Sequence, residues 1–240
     1  MIRMLDLADE VPEAIRIRHF TYELLALDHR TRVIDVGCGT GLAAAEMSRI
    51  ASGTIALDPD HLMVQTASSR WPELDVRRGV AEHLPLSGGS VTAYRADKVF
   101  HLLADPGRAV SEAHRVLAPG GRIVLVGQDW DGVMIDADDA GLSRAIVQAR
   151  ADSIPSLRPA RQYRSLLLDG GFAEVAVQGF LGALIHPSMV DIAIGFAQAA
   201  ASTGAVTASE ALDFIRDQQQ RAAQDRFSVG LPVWVAAATR

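Results

Sequence analysis

Three glycines at two-residue spacing could hold a nucleoside cofactor close to the backbone. Gly37, Gly39 and Gly41 directly follow a short apolar run, residues 33–36, that is typical of a buried strand, and residues 42–50 then have a helical pattern. Glycine at such a turn adopts dihedral angles that other residues avoid, and it puts no β-carbon between the backbone and a ligand. The spacing therefore predicts a cofactor loop; a glycine-rich turn without a ligand is the alternative.

The position of the third glycine separates two cofactor classes. In the dinucleotide fingerprint the third small residue would fall at position 42, which is Leu42 here, and this disfavours an NAD-dependent dehydrogenase. Asp35 lies two residues before the first glycine. Asp58 ends a second apolar strand, residues 54–57, where its carboxylate could accept two hydrogen bonds from ribose hydroxyls. A turn or helix N-cap role is the alternative for Asp58, although Asp60 is better placed as a cap.

Composition limits the class of protein. The chain has 240 residues and a net charge of −6, which fits one α/β domain with an added cap. No sustained basic stripe is present, so binding to nucleic acid or to an anionic membrane is disfavoured. Residues 1–10 lack a signal-peptide core and no apolar run could span a bilayer, so we expect a cytoplasmic protein. Cys38, the one cysteine, excludes an internal disulfide, and its place in the glycine loop favours a small packed residue over a nucleophile.

Alternating strand and helix patterns predict a doubly wound, mostly parallel sheet. We predict strands at 33–36, 54–57, 74–78, 91–96, 122–126, 172–177 and 233–237, and helical segments at 11–27, 42–50, 62–70, 105–117, 140–151, 161–168 and 187–225. Two segments, about 128–160 and 186–226, are too long for simple connections, and both follow the carboxyl ends of strands, where open α/β sheets bind ligands. The chain is therefore predicted to form one domain, residues 1–240, with two helical cap insertions.

With these elements placed, the sequence resembles the class I S-adenosyl-L-methionine (SAM) dependent methyltransferases along nearly its whole length. It is most similar to the branch related to ubiquinone and menaquinone biosynthesis, whose members methylate small molecules. The resemblance lies in VIDVGCGTG at 33–41, ALDPD at 56–60, AEHLPL at 81–86 and EAHRVLAPGGR at 112–122. It implies a Rossmann-like seven-stranded sheet with an antiparallel last strand beside the sixth, SAM as cofactor, and S-adenosyl-L-homocysteine (SAH) as product.

The resemblance also implies a set of cofactor contacts. These are Asp35, Gly37, Cys38, Gly39, Gly41, Asp58, Pro59, Ala81, Glu82 and Asp97, the last at the edge of the pocket for the methionine end. One position departs from the family. Val80 stands where the family commonly has an Asp that holds the adenine amino group. Either Glu82 or a backbone carbonyl replaces that contact, or the cofactor is held less tightly.

Few catalytic side chains are required, because methyl transfer from a sulfonium is an in-line displacement that mainly needs alignment and exclusion of water. His101, after the fourth strand, is a candidate general base for acceptors that must lose a proton, with a packing role as the alternative. Asp129 and Trp130, after the fifth strand, are candidate substrate residues; Trp130 could instead anchor the cap helix to the sheet. Tyr22 and Arg18 could close over the methionine carboxylate, although Arg18 could equally be a solvated residue.

The sequence therefore predicts a SAM-dependent methyltransferase that acts on a small, apolar or aromatic acceptor. We place the acceptor pocket between the Trp130 loop and the helices of 187–225, with His101 facing the transferred methyl group. No set of residues has metal-ligand spacing, and a monomer or homodimer is expected. The alternatives are an enzyme of the same fold that catalyses cyclisation, decarboxylation or rearrangement, and a non-catalytic ligand-binding protein, which only Val80 favours.

Overall fold

Eight strands and nine helices lie in the part of the chain that the structure, a computed structural model, describes: residues 2–155 and 159–240. The strands are β1 (Arg32–Val36), β2 (Gly53–Asp58), β3 (Asp75–Arg78), β4 (Val91–Asp97), β5 (Leu117–Gln128), β6 (Met134–Ile135), β7 (Ala173–Leu184) and β8 (Val229–Thr239). The helices are α1 (Ile2–Asp9), α2 (Pro12–Leu25), α3 (Leu42–Ser48), α4 (His61–Arg70), α5 (Pro106–Val116), α6 (Ala140–Asp152), α7 (Pro159–Asp169), α8 (Val190–Ser202) and α9 (Ala208–Ala223). Short 3-10 helices cover Phe100–Leu102, Trp130–Gly132 and Pro187–Met189.

The first five strands form a parallel sheet. Strand β1 pairs in parallel with β2 and β4, β2 pairs with β3, and β4 pairs with β5. The spatial order is β3-β2-β1-β4-β5-β8-β6, and β7 also pairs with β8. Strand β6 runs antiparallel to β8, with Met134 opposite Gly230. The predicted mostly parallel sheet is thus confirmed, but it has eight strands rather than seven because the two-residue strand β6 joins it.

Sequence patterns explain the central elements. In β1, four of the five residues are buried, as expected for a strand covered on both faces. Helix α5 buries one side at helical spacing, and Asp105 caps its start by accepting a hydrogen bond from the Arg108 backbone N–H at 2.9 Å. The core includes the large, fully buried side chains Tyr94, Phe100, Leu125 and Tyr163. This packing fixes the carboxyl ends of the strands, from which the site loops emerge.

The chain divides into two compact units. The first contains the described parts of residues 1–127, 159–178 and 234–240, and the second those of 128–158 and 179–233. The second unit overlaps the predicted insertions at 128–160 and 186–226. Residues 156–158, which belong to the first predicted insertion, lie outside the described residues. That these segments cap an acceptor stays a prediction.

Several elements differ from the sequence prediction. Helix α1 and strand β6 were not predicted, and the helical segment predicted at 187–225 forms two helices, α8 and α9. Strand β5 begins at Leu117 instead of 122, β7 extends to Leu184 instead of 177, and β8 begins at Val229 instead of 233. Most residues of β7 are exposed, so its sequence lacks the apolar run that marks a buried strand. Among the described residues, no helix is long and apolar enough to span a membrane.

Candidate cofactor site

The glycine loop between β1 and α3 has the geometry of a ligand-binding turn. Gly37, Gly39 and Gly41 have φ angles of 69°, 54° and 86°, which favour glycine. A β-carbon on Gly37 would lie 2.3 Å from Val99 Cγ2, and one on Gly41 would lie 2.9 Å from Trp71 Cδ1. A β-carbon on Gly39 would meet no atom within 4 Å. Packing therefore requires the outer glycines, while the middle one adjoins open space that a ligand can enter.

Asp58, at the end of β2, is fixed against this loop. Its Oδ2 accepts a hydrogen bond from the Gly39 backbone N–H, and its Oδ1 accepts one from the Asp60 N–H, both at 2.9 Å. Burial raises the pKa of Asp58, against the lowering by these two N–H groups. Each carboxylate oxygen can accept a further hydrogen bond. The carboxylate can thus position the loop and still receive ribose hydroxyls.

Asp60 is the N-cap of α4, in the role that its sequence position indicated. Its Oδ1 accepts hydrogen bonds from the backbone N–H groups of Leu62 at 2.7 Å and Met63 at 3.4 Å. Asp58 is therefore not needed as the cap. Its carboxylate instead accepts the hydrogen bond from the Gly39 N–H of the glycine loop.

A buried arginine, Arg95 on β4, joins the carboxylates beneath the loop. Its Nη1 donates to Asp35 Oδ1 at 2.9 Å, and its Nη2 donates to Asp97 Oδ2 at 2.8 Å. Its Nε donates to the Thr21 hydroxyl on α2 at 2.9 Å, and the residue is 2% exposed. The sequence reasoning missed Arg95. The available signal was a charged residue inside an apolar strand run, which requires a buried partner.

Asp35 and Asp97 share this one guanidinium, but their pKa values shift in opposite directions. Burial raises the pKa of Asp35 in spite of Arg95. Burial also acts to raise the pKa of Asp97, but Lys98 and Arg95 outweigh it and hold that pKa below its ordinary value. Asp97 therefore stays ionised at neutral pH.

One oxygen of each carboxylate lacks a hydrogen-bond partner in the described part of the chain. Asp35 Oδ2 and Asp97 Oδ1 are buried and have no hydrogen-bond partner among the described residues. A buried acceptor without a hydrogen-bond partner is costly, and the ionised Asp97 carboxylate favours a cationic donor. The ammonium group of SAM has that chemistry. Gly39 adjoins open space, and the Asp58 oxygens can still accept hydrogen bonds from ribose hydroxyls. Together with the buried oxygens of Asp35 and Asp97, these features show that the residues present fit SAM.

Cys38 lies in the loop as a packed residue. It is 9% exposed, and its backbone N–H donates to the Leu57 carbonyl at 3.0 Å. Burial, with the carboxylates of Asp35 and Asp58, raises the pKa of its thiol well above the ordinary value. The thiol therefore stays protonated at neutral pH, as a packing role requires.

The residues predicted at the adenine edge have mixed surroundings. Ala81 is 3% exposed, whereas Val80 is 45% exposed and forms an isolated bridge with His83. The backbone carbonyl of Glu82 accepts a hydrogen bond from Arg108 at 3.1 Å, so that carbonyl is already engaged. What replaces the family Asp at Val80 stays a prediction. The carbonyl of Pro59 accepts a hydrogen bond from Arg78 Nε at 3.1 Å, which holds the turn after β2.

Arg18 and Tyr22 both contact Glu46 of α3. Arg18 Nε donates to Glu46 Oε2 at 2.9 Å, and its Nη1 donates to the Asp9 carbonyl at 3.2 Å. Tyr22 donates its hydroxyl proton to the same Glu46 oxygen at 2.8 Å. Arg18 is 7% exposed, so the alternative of a solvated residue is wrong. These contacts tie α2 to α3, and a contact with the methionine carboxylate stays a prediction.

The catalytic and acceptor candidates lie in different units. His101 belongs to the first unit, in the 3-10 helix after β4, and is 8% exposed. Asp129 and Trp130 belong to the second unit; Asp129 is 5% exposed, and its N–H donates to the Pro232 carbonyl at 2.9 Å. The Trp130 ring lies 6.0 Å from that of Phe196 on α8. Trp130 therefore connects elements of the second unit, and its predicted contact with a substrate stays open.

No group of three or more His, Cys, Asp or Glu side chains could hold a metal ion in residues 2–155 and 159–240. The site thus consists of a glycine loop, a strand-end carboxylate and a buried carboxylate–arginine cluster at the carboxyl ends of parallel strands. Rossmann-like proteins bind nucleoside cofactors with such an arrangement.

Comparison with known proteins narrows the class. The family described as "Methyltransferase domain" matches residues 34–125, which contain the loop, Asp58 and Arg95. An uncharacterised 37.1 kDa protein in a Streptomyces fradiae transposon is 38% identical over 161 residues, which are 63% of this chain and 47% of that protein. A probable SAM-dependent methyltransferase of Mycolicibacterium smegmatis is 38% identical over 89 residues, 37% of this chain and 35% of that protein. The chain thus spans less than half the length of these curated relatives.

Solved structures share the fold at low identity. The YcgJ protein of Bacillus subtilis has a TM-score of 0.67 at 19% identity and covers 93% of this chain and 97% of its own. A geranyl diphosphate methyltransferase in complex with GPP and sinefungin has a TM-score of 0.58 at 17% identity, covering 95% and 79%. The cyclase SpnF also has a TM-score of 0.58, at 20% identity, covering 95% and 80%. The fold by itself is therefore compatible with both methyl transfer and cyclisation.

Residues 34–125 match the methyltransferase domain family, and the named SAM-dependent relative matches part of the chain. The family match and this relative support SAM as the cofactor. The branch related to quinone biosynthesis stays a prediction.

Proposed function

We propose that the first unit binds SAM and that the chain transfers its methyl group to a small-molecule acceptor. The observation that carries this proposal is the loop in which Gly39 adjoins open space and donates its N–H to Asp58. When bound, SAM supplies a methyl group activated by a positively charged sulfur. The protein then contributes alignment and exclusion of water.

Each residue of the site has a definite part in holding the cofactor. Gly39 lets the backbone approach it, and Asp58 accepts the ribose hydroxyls. Asp97 offers a buried oxygen to the ammonium group, as predicted for the methionine end. Arg95 keeps the Asp97 carboxylate oriented and ionised, because it binds the other oxygen. Asp35 helps to hold Arg95 in place from β1.

Three observations support methyl transfer to a small acceptor. Several sequence relatives are named methyltransferases, which favours methyl transfer over the cyclisation that the name of SpnF gives for the same fold. The net charge of −6 disfavours a nucleic-acid acceptor. The half-buried ring of Trp130, which packs on the buried Phe196, gives the second unit an aromatic contact suited to an apolar or aromatic molecule.

Calorimetric titration of the full chain with SAM, SAH and NAD tests the cofactor. We expect binding of SAM and SAH and none of NAD. Asp58→Ala should weaken SAM binding about 10- to 150-fold, the effect of losing a charge-assisted hydrogen bond. Asp75→Ala is the matched control, because Asp75 lies on β3 and pairs with the exposed side chain of Arg77. A response to NAD alone would overturn the assignment, and a folded Asp58→Ala protein with normal affinity would remove Asp58 from the site.

Labelled SAM and a metabolite extract test the transfer step. Incubation with the chain should move the label into a small molecule and release SAH. Asp58→Ala should lower that transfer, whereas Asp75→Ala should not. Transfer of label to nucleic acid or protein would contradict the small-molecule acceptor.

A further inference from the structure

Arg150 of α6 lies against two aromatic rings in the second unit. Its Cζ is 5.1 Å from the centroid of the Trp130 ring and 5.8 Å from that of Phe196. The two rings are 6.0 Å apart and tilted by 57°. All three residues are in the second unit, so the arrangement does not depend on how the units are placed.

The Arg150 charge is half-buried and has no carboxylate within ion-pair distance among the described residues. Arg221, in the same unit, is bound by Asp136, Asp138 and Asp217. Burial accordingly lowers the pKa of Arg150, with no acidic neighbour to oppose it. Its one side-chain hydrogen bond within the described residues joins Nη1 to Ser153 Oγ at 3.0 Å. A guanidinium carries five N–H donors, so most of them remain available.

Aromatic contacts and anion binding use different parts of a guanidinium. Rings stack on its planar faces, while its N–H donors lie along its edge and can bind two oxygens at once. Trp130 and Phe196 therefore lower the cost of burying the cation without using its donors. The half-buried Trp130 also supplies apolar surface next to those donors, whereas Phe196 is 6% exposed and packs behind the surface as a core residue. A ligand matched to this site has an apolar body and an oxyanion.

We propose that Arg150 recognises a carboxylate or phosphate group on the methyl acceptor, next to the half-buried ring of Trp130. This inference rests on the proposed function, which supplies the acceptor. It makes Arg150 a residue that determines substrate specificity. The acceptor is then an amphipathic acid rather than a neutral apolar molecule.

Titration followed by NMR, on the full chain with and without SAH, tests the proposal. The probes are benzoate, phenyl phosphate and the neutral benzamide. We expect at least one anion to bind about 10-fold or more tightly than benzamide, and the tighter anion identifies the group. Arg150→Met, which fills similar space without charge, should abolish this preference. Arg150→Lys, which keeps the charge but not the fork, should retain part of it.

Arg144→Met is the matched control, because Arg144 is an exposed residue of the same helix. It removes the same charge and should leave the preference intact. Equal binding of benzoate, phenyl phosphate and benzamide to the wild type would overturn the proposal. So would an anion preference that survives in a folded Arg150→Met protein, since Arg150 would then only anchor the rings. A preference that persists in a chain unable to bind SAM would instead refute the proposed function alone.

Discussion

Replacing Arg95 by Met should strongly destabilise the first unit. The change removes two ion pairs and the hydrogen bond from the guanidinium to the Thr21 hydroxyl, and the side chains of Arg95 and Asp35 are 3% and 2% exposed. Asp97, at 18%, also loses its guanidinium. Removal of one partner from a buried ion pair leaves an uncompensated charge, which costs about 3–5 kcal/mol of unfolding free energy. Two carboxylates lose their cation here, so we expect the upper part of that range.

The stability loss in Arg95→Met should depend on pH. In the wild type the lowered pKa of Asp97 contributes stability above its unfolded pKa, near 3.9, and this is lost as pH falls through the folded value. The raised pKa of Asp35 acts in the opposite sense, since its contribution is lost as pH rises. Without Arg95, the pKa of both carboxyl groups rises, so the variant loses stability with increasing pH. The deficit should therefore be larger at pH 7.5 than at pH 4.5.

Urea unfolding at these two pH values measures the effect. Arg77→Met is the control, because the Arg77 and Asp75 side chains are 38% and 48% exposed and such a pair is worth about 0–1 kcal/mol. If Arg95→Met does not fold, Arg95→Lys should show an intermediate loss of unfolding free energy, since lysine keeps the positive charge but lacks the planar set of guanidinium donors. A loss no greater than that of Arg77→Met, or an equal loss at both pH values, would refute the reasoning.

Three further predictions concern the site. Gly39→Val should weaken SAM binding strongly, because the new side chain occupies the open space beside the loop. Its positive φ should cost only about 1–2 kcal/mol of unfolding free energy. Unchanged SAM affinity in calorimetry would contradict this prediction. Cys38 should resist iodoacetamide at pH 8 in the native protein, because burial raises its thiol pKa, and rapid labelling followed by mass spectrometry would show the opposite. His101→Ala should keep SAM affinity but lower turnover of acceptors that must lose a proton, and equal steady-state constants would leave His101 a packing role.

The sequence by itself determined the elements with local causes. The glycine loop was predicted because its dihedral angles require glycine at Gly37, Gly39 and Gly41, whatever the rest of the chain does. Helix 62–70 was predicted from its cap and periodicity, and α4 runs from His61 to Arg70. Short apolar strand patterns that alternate with helical patterns likewise predicted the parallel sheet. The family resemblance added SAM, since the strings at 33–41, 56–60, 81–86 and 112–122 match motifs of the SAM-dependent methyltransferases.

Tertiary structure alone decided which charged residues meet. Arg95 and Asp35 are 60 residues apart in the chain, and they meet because β1 and β4 are neighbours in the sheet. Arg150 reaches Trp130 and Phe196 through packing between α6, the 3-10 helix after β5, and α8. Propensity and spacing act over a few residues, whereas an ion pair or a cation–π contact depends on which elements pack together. The sequence therefore determined the cofactor loop, and only the folded chain decided how its buried charges are matched.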